Sequence, residues 1–219
     1  MKEERIGLLG GTFNPVHRGH LKAAEEVQTR FALARVLFIP SYIPPHKQTT
    51  EMASPEDRFA MVELAVRPYP FLAASPIEIE AQERSYSIIT LNKVKAIYPA
   101  AWIFFILGVD AFLEIETWKS YRDVLEQCRF IVISRPGFDL SSARSALPPE
   151  FKGSFVYVPK TGDVGTVALE RFRIFLLPMP SLDISSTEIR RLVKSGRPID
   201  GLVPGPVEEY ISNKNLYQE

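Results

Sequence analysis

The 219-residue chain has one cysteine, three histidines and no excess of charge of either sign. Each shortage excludes something. With Cys128 alone, in LEQCRFIVIS, no intramolecular disulfide can form and no CxxC pair exists, so a disulfide-stapled secreted scaffold is excluded. The expected place for that thiol is a small buried site beside a strand. Lys plus Arg and Asp plus Glu both number 26, so the formal net charge is zero. A broad basic surface for nucleic acid is therefore not expected, although a small basic pocket for a phosphorylated metabolite stays open. No apolar run approaches the length of a membrane span. MKEER leads straight into a short apolar run without the pattern of a leader. A cytoplasmic chain with no membrane partner is the expectation. Two nucleotide fingerprints are missing as well: GxxxxGK[ST], and GxGxxG after the first apolar run.

What is there reads as an ordinary folded chain. Hydrophobic residues make up 46% and charged residues 24%. The length suits one α/β domain with a substantial core. RIGLLG, RVLFIP, AWIFFILG, RFIVIS, SFVYVP and RIFLLP are apolar without alternation, as strands covered on both faces are. Helix-like stretches separate most of them. HLKAAEEVQTRFA puts Leu21, Ala24, Val27 and Phe31 on one face. SPEDRFAMVELAV opens with Ser54 as N-cap, Pro55 at N1 and Asp57 at N3. SIITLNKVKAIY, YRDVLEQC, SSTEIRRLVKSG and PVEEYISNK are further helices. This alternation implies a doubly wound, mostly parallel, Rossmann-like sheet with helices on both faces. The expected organisation is a single domain over 1–219, with a C-terminal helical portion from about 183 to 219. Such sheets bind ligands beyond the carboxyl ends of their strands, where GGTFNP, PSYIPPHK, GVDAF and SRPG stand.

Two of the three histidines fall in GLLGGTFNPVHRGH. Gly10 and Gly11 at a strand end allow a tight turn and close approach of a ligand to the backbone. The helix that follows should start near His17, with its free N–H groups and positive dipole end at the same place. His17 and His20 lie at i, i+3 and can point to one side. A turn, a metal fragment and a phosphate cradle are all open readings. Zinc needs three or four ligands, and neither His46 nor Cys128 has a companion at ligand spacing, so zinc is disfavoured. Lys47 follows Pro44, Pro45 and His46 and offers a cation from a stiff loop. A second hydroxyl-rich helix start, DISSTEIRRLV, carries Ser185, Ser186 and Thr187. One hydroxyl suffices as a cap. The others, with the free amides and Arg190 one turn on, can hold phosphate oxygens.

GGTFNPVHRGH (10–20) and ISSTEIR (184–190) together resemble the paired signature of a nucleotidyltransferase superfamily, GGTFDPxHxGH with ISSTxIR. PPHK (44–47), RSYSIITL (84–91), GVDAFLEIETW (108–118) and LVPGPVEEYI (202–211) bring the resemblance closest to the bacterial nicotinate-nucleotide adenylyltransferases, from Gly7 to about Tyr217. The resemblance implies transfer of the adenylyl group of ATP to nicotinate mononucleotide, with Mg²⁺ arriving on ATP and held mainly by phosphate oxygens and water. It implies that Gly10, Gly11, Thr12, Phe13, His17 and His20 meet ATP, with Ile184, Ser185, Ser186 and Arg190 around the leaving pyrophosphate. Lys47 would steady phosphates, Asp110 would meet ribose or metal-bound water, and Gly108 would let adenosine lie close. His17, His20, Lys47 and Arg190 are the implied catalytic group. For the mononucleotide it implies Asn14, Lys47, Ser87, Trp118 and Arg135. Trp118 would stack on the pyridine, a core aromatic being the alternative, and Arg135 would reach the phosphate, an ordinary surface arginine being the alternative. Asn14 replaces the usual Asp, keeping an acceptor oxygen and losing the charge; Ser87 replaces the usual Thr. An acceptor other than the nicotinate nucleotide, above all its amide, stays open, as do a homo-oligomer and a non-catalytic nucleotide-binding module.

Overall fold

A computed structural model of the chain describes residues 4–44, 52–179 and 184–218. Its elements run β1 (Arg5–Gly11), α1 (Arg18–Phe31), β2 (Arg35–Pro40), α2 (Pro55–Val66), β3 (Leu72–Ala74), α3 (Ser87–Ile97), β4 (Trp102–Gly108), α4 (Val109–Leu113), α5 (Tyr121–Gln127), β5 (Arg129–Ile133), β6 (Phe155–Tyr157), α6 (Thr166–Arg171), β7 (Ile174–Leu177), α7 (Ser186–Lys194) and α8 (Gly205–Asn213). The strands form one sheet in the order β3-β2-β1-β4-β5-β7-β6. β1 pairs parallel with β4, β4 with β5, β5 with β7, and β7 with β6. This is the doubly wound α/β sheet that the unalternating apolar runs imply. β4 and β5 are buried along almost their whole length, which requires cover on both faces. The strand order reverses at β1, so the carboxyl end of β1, Gly10–Gly11, is where the topology points for a ligand.

Two compact units make up the chain: residues 1–9, 25–36 and 86–181, and residues 10–24, 37–85 and 182–219. The core of the first is aromatic. Phe31 sits edge-on to Phe104 and Phe175, with ring centroids at 5.9 and 5.3 Å, and Phe105 stacks on Phe130 at 6.0 Å. Cys128 is buried in it, with Sγ donating to the Val124 carbonyl, and burial pushes the thiol pKa up. That is the inert, packed cysteine expected from its neighbours.

In the second unit α2 packs on α8. The capping pattern of SPED is realised: Ser54 Oγ accepts from the Asp57 N–H at 3.0 Å and donates to Asp57 Oδ2 at 2.7 Å. Tyr210 of α8 donates to Asp57 Oδ1 at 2.8 Å. Burial alone would raise the Asp57 pKa. The hydrogen bonds from Ser54 and Tyr210 and the charge of Lys214 outweigh it, and the net shift is downward from 3.8. A carboxylate whose folded pKa is depressed stabilises the fold above its unfolded pKa and loses that contribution as pH falls through the folded value. Asp57→Asn should therefore lower Tm at pH 7, and the gap to wild type should begin to narrow near about pH 4 and close as pH falls through the lower folded value. Thermal unfolding at pH 7, 5 and 3 reads this; a gap constant down to pH 3 would refute it. Among the described residues no helix is long and apolar enough to cross a membrane.

Candidate active site

The second unit holds both GGTFNPVHRGH and ISSTEIR. The turn after β1 is held from behind through its carbonyls. Gly11 C=O accepts from the Ser41 N–H at 2.9 Å. Thr12 C=O accepts from Arg58 Nη1 at 2.8 Å. In a trans peptide the next N–H points opposite to the carbonyl. The amides of Thr12 and Phe13 thus face away from Ser41 and Arg58. Phe13 sits at φ +49°, a backbone conformation uncommon for a bulky residue, and its ring is packed against Phe38 at 5.5 Å. At Gly10 a side chain would meet nothing within 4 Å, so the strand end is open to a close approach.

α1 begins at Arg18, immediately after His17. The His17 and His20 rings stack with centroids 3.7 Å apart, and Phe13 meets His20 edge-on at 5.0 Å. His17 is buried, with only 3% exposed. Its backbone N–H donates to His20 Nδ1 at 3.3 Å. An accepting Nδ1 puts the ring proton of His20 on Nε2, which is therefore a donor. Gly19 has a packing reason: a Cβ there would lie 3.0 Å from Nδ1 of the His17 ring. The His17 imidazole fills the space that the missing side chain leaves.

The hydroxyls of ISST divide their work. Ser185 is the N-cap of α7 and accepts from the Glu188 N–H at 3.1 Å. Ser186 Oγ donates to the Pro15 carbonyl at 2.9 Å. Arg190 Nη1 donates to the Asn14 carbonyl at 2.9 Å. The second motif is thereby fastened onto the turn of the first, 171 and 176 residues away in sequence. Asn14 itself is buried, and its Oδ1 accepts from the Ala53 N–H at 3.1 Å and the Tyr217 O–H at 2.8 Å. Its side-chain oxygen is engaged inside the unit. Ile184 is half-buried and close to Gly19.

Arg58 was not among the residues read as functional. It is 1% exposed, and it donates to Thr12 and Ser41 through Nη1, to Tyr42 through Nη2 and to Ala53 through Nε. Burial pulls its pKa down, with Tyr217, Glu56 and Glu78 acting the other way, and a guanidinium stays charged regardless. The signal was present in the sequence. Arg58, Met61, Val62 and Ala65 lie at i, i+3, i+4 and i+7, which places a charge in the buried stripe of α2.

The first unit holds the other candidates. Gly108 ends β4 and precedes α4. A Cβ at Gly108 would lie 2.2 Å from Asp110 Oδ1 and 2.7 Å from Arg135 Nε. Those two groups face each other at 3.8 Å, both partly exposed. The structure thus brings together Gly108, Asp110 and Arg135, which belong to three different readings of the sequence. Trp118 is half-buried and edge-on to Phe105 at 5.9 Å, so one side is core and the other is open. Ser87 is the first residue of α3 and half-buried. Lys47 lies outside the described residues. Among the described residues no group of three or more His, Cys, Asp or Glu side chains is placed to hold a metal ion.

The sequence matches the cytidylyltransferase-like family over residues 8–192. It is 41% identical over 215 residues to a Geotalea daltonii protein named "Probable nicotinate-nucleotide adenylyltransferase", covering 98% of this chain and 99% of that one. A Pelobacter propionicus protein of the same name is 42% identical over 215 residues, with the same coverage. The fold is shared with the Plasmodium falciparum nicotinic acid mononucleotide adenylyltransferase complexed with NaAD, at a TM-score of 0.72, 18% identity and 98% coverage of each chain. The complex of the P. falciparum enzyme with APC gives a TM-score of 0.69 at 17% identity and the same coverage. With GGTFNPVHRGH and ISSTEIR joined in one unit and relatives alike along their whole length, the chain belongs to the cytidylyltransferase-like family and, within it, to the nicotinate-nucleotide adenylyltransferases.

Proposed function

We propose that this chain transfers the adenylyl group of ATP to nicotinate mononucleotide, forming deamido-NAD and pyrophosphate in NAD biosynthesis. A phosphate oxygen of the mononucleotide bonds to the α-phosphorus, the bond from that phosphorus to the α–β bridging oxygen breaks, and pyrophosphate leaves with the electron pair. The nucleophile is already largely dianionic at neutral pH and needs no general base. The protein's work is positioning and neutralising charge.

The observation that carries this reading is the fastening of Ser186 and Arg190 onto Pro15 and Asn14. It puts a helix start, a permanent cation and a His20 Nε2–H donor into one unit, a set of donors suited to a polyphosphate. In this reading the amides of Gly11, Thr12 and Phe13, with His20 and its stacked partner His17, hold ATP phosphates beside Gly10. Ile184, Ser185, Ser186 and Arg190 attend the leaving pyrophosphate, and Lys47 adds a cation. ATP enters as its Mg²⁺ complex; Asp110 is an oxygen donor suited to metal-bound water or ribose. Gly108 lets adenosine lie close to the backbone. Trp118 stacks on the pyridine, Ser87 meets its carboxylate, and Asn14 and Arg135 serve the mononucleotide side.

The test is pyrophosphate release by purified protein with ATP, Mg²⁺ and nicotinate mononucleotide, with the amide as comparison. Turnover is expected, with kcat/KM for the acid well above that for the amide. No release above background with the acid would overturn the reading. Nucleotide binding without release would leave a binding module in its place.

A further inference from the structure

Nothing in the motif pair gives the end of the chain a task, yet it reaches the first motif. After α8 the chain turns through Asn215 and Tyr217, at φ +52° and +64°. Asparagine tolerates the left-handed region; a tyrosine there is an outlier that persists only where its surroundings over-determine it. The turn is closed on α8 by Asn215 N–H to Ser212 C=O at 3.1 Å and Leu216 N–H to Ile211 C=O at 3.0 Å. Its outcome is the Tyr217 phenol on Asn14 Oδ1. The Ala53 N–H takes the other lone pair of that oxygen. Two donors on one oxygen settle which way the Asn14 amide faces. The same residue's carbonyl receives Arg190.

We propose that Tyr217 is a positioning residue for adenylyl transfer: docked from the C-terminal tail, its phenol fixes the Asn14 side chain and thereby the carbonyl that orients Arg190. This rests on the reading under Proposed function. Burial keeps the phenol above its ordinary pKa against the pull of Arg190 and Arg58, so it remains a hydrogen-bond donor at neutral pH. A cavity of about 460 Å³ lies beside the latch, with Tyr217 and Leu216 of the tail and Arg190 and Lys194 of α7 among its lining residues. The hydrogen bond to Asn14 joins the tail to the first motif.

Tyr217→Phe removes one hydroxyl and keeps the ring. It should lower kcat about three- to tenfold, the size of one lost hydrogen bond, with KM for nicotinate mononucleotide within about twofold. Combined with Arg190→Lys, its effect should be less than multiplicative, because both variants break one chain of contacts. Tyr210→Phe, which loses the phenol bond from α8 to Asp57 of α2, serves as the structural control: Tm falls and kcat holds. Unchanged kinetics in Tyr217→Phe, or effects that multiply with Arg190→Lys, would overturn the latch. Should the phenylalanine variant unfold, Asn14→Ala against Asn14→Asp reads the same contact, since only Asp keeps the acceptor; equal kinetics in the two would overturn the proposal. If wild type itself fails to turn over nicotinate mononucleotide, the proposed function falls. The latch is then read from affinity for α,β-methylene-ATP, expected to weaken about threefold in Tyr217→Phe and refuted if unchanged.

Discussion

His20→Ala is expected to lower kcat for adenylyl transfer by about 10²- to 10³-fold, the usual cost of losing one preorganised donor at a site of developing charge. The ground for this is the direction of its proton. With Nδ1 occupied by the His17 N–H, the donor edge is Nε2, and the stacked His17 ring and the edge of Phe13 leave the imidazole little freedom to turn. A donor held this way needs no reorganisation when charge builds on the phosphoryl oxygens. A nucleophile that arrives as a dianion leaves no proton for the histidine to accept, which assigns it to charge stabilisation. The loss should fall mainly on kcat, with ATP affinity changed less than about tenfold, because a contact that strengthens in the transition state adds little to ground-state binding. His20→Gln restores an N–H on a longer arm and should recover part of the loss. Steady-state pyrophosphate release decides it. A raised KM with kcat intact would make His20 a ground-state binding group and sink the assignment.

How far the sequence carries depends on whether the information is local. Five strands are legible because cover on both faces erases polar alternation, and the edge strand β6, whose Tyr157 is exposed, by its apolar run alone; β3, Leu72–Ala74, is too short to show a pattern. Ser54 is legible as a cap, and one of Ser185, Ser186 and Thr187 as another, because a cap involves four consecutive residues. The motif pair is legible as composition, two anion-friendly helix starts, but the contacts that unite it are not. Ser186 to Pro15 spans 171 residues, and Tyr217 to Asn14 spans 203. Nothing near Asn14 announces that its oxygen is claimed from the other end of the chain. Gly19 shows a further limit. A missing side chain can mean room for a ligand or room for a neighbour, and only coordinates show that the neighbour is His17. For Trp118, core aromatic and stacking surface are both open on sequence grounds; the structure gives it an edge-on contact with Phe105 and leaves it half-buried.

Arg58→Met should destabilise the protein by about 3–5 kcal/mol, the range seen when one side of a buried charged interaction is removed. It should also lower kcat/KM for ATP. The sign needs argument, because a buried charge is itself expensive and a methionine of similar length could relieve that cost. Relief of this kind arises when both partners of a buried pair become apolar. Here the partners are the carbonyls of Thr12, Ser41, Tyr42 and Ala53, and no substitution at position 58 removes them. A carbonyl left without a donor costs roughly 1–3 kcal/mol where it is buried, as at Ser41, and less at the part-buried carbonyls of Thr12, Tyr42 and Ala53. Several such losses outweigh the desolvation that methionine avoids, so the variant loses stability. Activity follows through geometry. Once the Thr12 carbonyl is released, nothing holds the next amide, that of Phe13, facing away from Arg58, and the cradle loses a preset donor. Arg58→Lys separates charge from shape: an ammonium keeps the positive charge and three donors but not the planar fork. It should fall between wild type and methionine in both readouts. Urea unfolding supplies the stability and ATP-dependent pyrophosphate release the activity. A methionine variant with the wild-type urea midpoint would show that these carbonyls find other donors, and the account of the turn as held from behind by Arg58 would fail.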